Sequence, residues 1–85
     1  MKNNWLITFR SVTFAQKAER ALNKAGIACT MRRTPRELSQ RGCGYCLRLR
    51  GADALAAVLL LQEKQIGYRK TYAITQEGHI EEREL

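Results

Sequence analysis

Histidine, tryptophan and proline each occur once in these 85 residues, and aromatic residues make up only 7%. The single histidine, His79, leaves no Ser/His/Asp set to assemble. No glycine-rich phosphate cradle is present, and no pair of carboxylates stands at a spacing suited to general acid–base work. A complete enzyme active site is therefore not visible, and the expectation is a non-enzyme. Cysteine is sparse as well: there are three, an odd number, and no signal-peptide pattern opens the chain. This argues against a secreted disulfide framework and leads us to expect the reducing cytoplasm. Long apolar runs are also missing. The longest, residues 54–61, falls far short of the about 20 residues that span a bilayer, so no membrane anchor is expected.

Acidic residues are scarce where they would balance the basic ones. Residues 1–75 hold 14 Lys/Arg against 4 Asp/Glu, whereas residues 76–85 hold 1 against 4, for a formal net charge of +7. The expected organisation is one domain over residues 1–75 followed by an acidic, frayed tail over 76–85. An apolar content of 45% suffices for a thin core. A body so basic suits nucleic acid, another anionic partner, or a surface that activates a thiol.

Trp5, Ile7 and Phe9 alternate with Leu6 and Thr8, which predicts a first strand with those three residues inward. Phe14, Ala18, Ala21, Leu22 and Ala25 then mark one face of a helix over residues 13–25, opened by Thr13 with Gln16 and closed by Gly26. A second strand over 27–34 points Cys29 inward as a packing residue. In a third strand Tyr45, Leu47 and Leu49 face inward and Cys46, Arg48 and Arg50 outward. A second helix opens at Gly51 and Asp53 and runs to about residue 65, with Leu55, Val58 and Leu59 as its core stripe. Leu60 and Leu61 widen that stripe, either sealing the domain edge or forming a self-association patch. A fourth strand over 66–75 puts Tyr68, Tyr72 and Ile74 on one face. The predicted order β-α-β-β-α-β is the split arrangement of ferredoxin-like folds: α+β, with four antiparallel strands and two helices on one face.

The stretch Thr34-Pro35-Arg36-Glu37-Leu38-Ser39-Gln40-Arg41-Gly42-Cys43-Gly44-Tyr45-Cys46 concentrates two of the three cysteines, the proline and two of the six glycines. Thr34, Pro35 and Glu37 read as the capped start of a short helical turn that Gly42 ends. Gly42 and Gly44 permit unusual backbone angles around Cys43 and bring amide N–H groups near its sulfur. Arg36, Arg41, Arg48 and Arg50 bracket it with positive charge, which favours the thiolate. With the glycines, Arg36, Arg41 and Arg48 are the expected surroundings of a group bound there. A plain turn holding a small apolar residue would have the same sequence.

Cys43 and Cys46 form a Cys-x-x-Cys pair, able to close a reversible disulfide or to let one thiol resolve an adduct on the other. In thioredoxin-like enzymes such a pair starts a helix, whereas here it leads into a strand, so a dithiol oxidoreductase is the lesser alternative. A structural zinc site wants four ligands, and beyond this pair only Cys29 and His79 remain, so no metal is expected. RNA-binding modules of ferredoxin-like topology stack bases on aromatic residues of the central strands. The outward residues of the third strand here are Cys46, Arg48 and Arg50, which offer no such platform. A nucleic-acid module using Arg32, Arg48, Arg50 and Arg69 is thus a second alternative, with nucleic acid disfavoured as partner.

The run Thr34-Pro35-Arg36-Glu37-Leu38-Ser39, followed by Cys43-Gly44 and Leu47-Arg48-Leu49 and preceded by a β-α-β unit opening with Ile7-Thr8-Phe9, resembles the small bacterial selenium/sulfur carrier-like proteins. The similarity extends to about Tyr72. It implies a carrier of reduced sulfur or selenium, held on Cys43 as a covalent persulfide or selenosulfide, with no other cofactor. Sulfur- or selenium-transfer proteins are the partners it implies. Cys46 departs from the family pattern as we read it, which makes it a resolving or co-binding neighbour peculiar to this chain.

Overall fold

Strand β1, Asn4–Thr8, occupies the middle of the sheet, and the two faces of the molecule follow from its alternation. The computed structural model describes residues 4–38 and 44–85. The chain continues through helix α1 (Val12–Lys24), β2 (Cys29–Arg33), a 3-10 turn (Arg36–Leu38), β3 (Tyr45–Arg50), helix α2 (Gly51–Glu63), β4 (Thr71–Ile74) and β5 (Ile80–Glu82). The strands form one antiparallel sheet in the order β2-β3-β1-β4-β5. Five strands replace the four expected. The fifth comes from the acidic end of the chain: Gly78, at φ 90, turns the backbone after Thr75, and Ile80 then pairs with Ile74.

Ile7, Phe9, Leu47 and Leu49 project from the sheet into a core completed by Ala15, Ala18 and Leu22 of α1 and by Ala57, Val58 and Leu61 of α2. Both helices thus cover one face. The cap of α1 is Ser11, whose hydroxyl accepts from the Phe14 amide; Thr13 lies inside the helix. The stripe of α2 is Ala54, Ala57, Val58 and Leu61, whereas Leu55 and Leu59, expected in the core, are each 54% exposed. The small Ala54 and Ala57 let the helix lie close to the sheet, and that packing fixes its rotation. Leu61 is fully buried and belongs to no surface patch.

Both helices end the same way. Ile27 donates to the Leu22 carbonyl and Ile66 to the Leu61 carbonyl, each at 2.9 Å, across a residue with positive φ: Gly26 in one case, Gln65 at φ 58 in the other. These are Schellman endings, and they tuck both isoleucines against the core.

The last long strand is shorter than expected. Residues 66–70 are not in strand conformation, although Thr8 holds them: its amide donates to the Lys70 carbonyl and its own carbonyl accepts from the Arg69 amide. Tyr68 packs with the helices, while Tyr72 and Ile74 lie on the opposite sheet face, so the three do not share a face.

Candidate thiol site

The connection between β2 and β3 starts with a buried Thr34, whose amide donates to the Gly44 carbonyl at 2.8 Å. The Leu38 amide donates to the Pro35 carbonyl, closing the expected helical turn as a single 3-10 turn. Among the predicted site residues, Arg41, Gly42 and Cys43 lie outside the described residues. Gly44 is exposed, and a Cβ there would meet nothing within 4 Å.

Cys46 occupies the predicted sheet face but not the predicted environment. It is fully buried, in a second small cluster with Leu6 and Tyr72, against which Leu38, Ile74 and Ile80 pack. Leu38, from the connection between β2 and β3, and Ile80, from the acidic end of the chain, help to cover the face on which Cys46 was expected to point outward. Pairing places Arg32 of β2 directly opposite Cys46, and Thr8 of β1 on its other side. Arg48 follows two residues along β3, half-buried and opposite Leu6. Two guanidinium-bearing residues thus share the face of the Cys46 thiol. Arg50 is engaged elsewhere, 3.4 Å from the Asp53 carboxylate in the first turn of α2. Arg36 is exposed in the 3-10 turn, and Arg33 lies over the Tyr45 ring at 5.4 Å.

Cys29 faces the helices, as expected. Its thiol donates to the Asn23 Oδ1 at 3.7 Å, and the Glu19 carbonyl lies 4.0 Å away. Burial, reinforced by the Glu19 charge, pushes its pKa up from 9.0 to about 11. The folded protein therefore holds this proton more tightly than the unfolded chain does. The stabilisation is complete below pH 9.0 and is lost as the pH rises toward about 11. Alkylation of Cys29 should accordingly keep accelerating past pH 9 in the native protein and level off near pH 9 in the denatured one. Coincident profiles would show that the thiol is not desolvated.

His79 is exposed in the β4–β5 connection, its amide donating to the Thr75 hydroxyl. Among the described residues no three His, Cys, Asp or Glu side chains group as metal ligands, and no helix is long and apolar enough to cross a membrane.

A family model described as "Putative Se/S carrier protein-like" matches residues 4–73. The chain belongs to this family. The match runs from β1 almost to the end of β4 and includes the whole connection between β2 and β3, so the Se/S carrier-like region contains all three cysteines. Strand β5 lies beyond it, as does Ile80, which helps to enclose Cys46. No curated protein and no solved structure matches the chain.

The residues that reasoning from sequence missed at this site are Leu38 and Ile80, the apolar cover of Cys46. The Glu77-Gly78 pair was a usable turn signal for the final hairpin.

Proposed function

We propose that this protein carries reduced sulfur or selenium, bound covalently to Cys43 and passed on by thiol exchange with sulfur- or selenium-transfer proteins of the cytoplasm. The observation that carries the reading is the family match across the cysteine-bearing connection. The other two thiols add support: Cys29 is half-buried with its pKa pushed up to about 11, and Cys46 is fully enclosed. Neither is presented for exchange, which favours Cys43. The first four strands, in the order β4-β1-β3-β2, are read as a ferredoxin-like core that β5 extends.

In loading, the Cys43 thiolate attacks the terminal sulfur of a donor persulfide. The donor's S–S bond breaks, a new one forms to Cys43, and the donor leaves as its thiolate. Delivery is the same step with an acceptor thiolate as nucleophile and Cys43 as leaving group. No net oxidation occurs, and a terminal selenium follows the same course. Arg36, Arg41 and Arg48 supply positive charge that favours the thiolate.

Cys46 lies three residues from Cys43 along the chain. Its thiolate could attack the inner sulfur of the loaded cysteine, forming a disulfide and expelling hydrogen sulfide. Enclosure beneath Leu38 and Ile80 holds that discharge back.

Intact-mass spectrometry after incubation with a cysteine desulfurase and cysteine, or with selenite and glutathione, should show a gain of one sulfur or selenium atom that an added thiol removes. No gain under either condition contradicts the carrier reading.

A further inference from the structure

On the outer side of the helical layer an apolar trough runs between α1 and α2. Its floor is Ala21, Ala25, Leu60 and Ile66, and its volume is about 570 Å³. Four cations rim it: Lys17, Arg20 and Lys24 from α1, and Lys64 from the end of α2. All four are exposed, and none is ion-paired to a carboxylate of the described residues. Lys24 and Lys64 stand at helix ends, where a cation also offsets the helix dipole. Lys17 and Arg20 sit mid-helix and have no such reason to be there.

We propose that this trough docks an acidic, amphipathic helix of a partner protein, its apolar side on the alanine floor and its carboxylates on the lysine and arginine rim. Lys17, Arg20, Ala21, Lys24 and Ala25 recur at i, i+3, i+4, i+7 and i+8, so a single face of α1 carries both floor and rim. From Lys17 to Lys24 the trough follows α1 for roughly 10 Å, about two helical turns, the span that anchors at i, i+3 or i+4 and i+7 fill in helix-in-groove recognition. The two alanines leave room for large side chains from an incoming helix. A small ligand wants an enclosed pocket that buries most of its surface, whereas this trough is open along its outer side. Charge complementarity selects an acidic helix over a basic one. The docking face is on the opposite side of the sheet from Cys46, so a partner can be held without covering that thiol. The proposal does not depend on which cargo is carried and holds for the Cys43→Ala protein.

The probe is a synthetic, end-capped helical peptide with leucines at i, i+3, i+4 and i+7 and glutamates between them, titrated into isotope-labelled protein and followed by NMR. Amide shifts should concentrate at Ala21, Ala25, Leu60 and Ile66. Lys17→Glu with Arg20→Glu should weaken binding about tenfold, whereas Arg32→Glu with Arg48→Glu, the same charge change on the other face, should weaken it less than about threefold. A peptide with serine in place of the leucines, or lysine in place of the glutamates, should lose most of the affinity. The peptide comparisons use the wild-type protein and decide the matter even if a double variant unfolds. The proposal is overturned if no peptide binds, if shifts map to the Cys46 face, if the two double variants weaken binding equally, or if the serine peptide binds as well. Tighter binding of dodecanoate or of an RNA oligonucleotide at the same residues would also overturn it, by assigning the trough to a different ligand.

Discussion

Leu61→Ala is expected to destabilise the fold by about 2–5 kcal/mol, and Leu59→Ala by less than about 0.5 kcal/mol. The two leucines are close in sequence and chemically identical, yet Leu61 is 0% and Leu59 54% exposed. Removing the Leu61 side chain leaves a cavity among Ala18, Leu22, Val58 and the sheet residues of the main core. Removing that of Leu59 uncovers helix surface that water already reaches. In a domain whose total stability is of order 5–15 kcal/mol, the first loss lowers the melting temperature by at least about 8 °C, and the second by less than about 4 °C. Thermal unfolding followed by circular dichroism measures both. The reverse order would mean that α2 is rotated onto the Leu55 and Leu59 stripe that sequence alone suggests.

Cys46 is expected to react with a maleimide about a hundredfold more slowly in the native protein than in denaturant. Its sulfur is fully enclosed, and β3 is hydrogen-bonded on both sides, to β1 and to β2. A reagent reaches it only through local opening, whose free energy lies between that of a fraying loop and that of global unfolding. Leu38→Ala removes one part of the cover and should speed the reaction at least about fivefold while leaving Cys29 unchanged. Ile80→Ala should do the same from the other side. Labelling of Cys46 at the denatured rate in the wild type would show that the thiol is open, and that discharge of cargo by Cys46 is not held back by enclosure.

What could be read in advance was set by contrast between neighbouring residues. The aromatic and β-branched residues Trp5, Ile7 and Phe9 at period 2 mark the first strand even though Leu6 between them is apolar, and the helix that Gly26 stops shows its apolar face against polar neighbours. The rotation of α2 could not be read, because residues 54–61 are all apolar and give no polar face to phase against. Contact with the sheet selects Ala54, Ala57, Val58 and Leu61 over Leu55 and Leu59 for its buried side. At the thiol site, alternation places Cys46 on the correct face of β3. Whether that face is open depends on Leu38 and Ile80, which approach it from the 3-10 turn and from a strand beyond the charged turn, and no local pattern encodes that. The guanidinium groups near Cys46 are likewise a matter of register: Arg32 is opposite it across the β2–β3 pair, whereas Arg50, closer in sequence, is bound to Asp53.

Peptide-level mass spectrometry of the loaded protein tests the assignment of the cargo to Cys43 most directly. After loading with a desulfurase and cysteine, or with selenite and glutathione, and trapping of free thiols, the added sulfur or selenium should be found on the Cys43 peptide. It should persist in Cys29→Ala and vanish in Cys43→Ala, and in Cys46→Ala it should remain with slower spontaneous loss. Cargo found on Cys29, or an undiminished adduct in Cys43→Ala, would contradict the account.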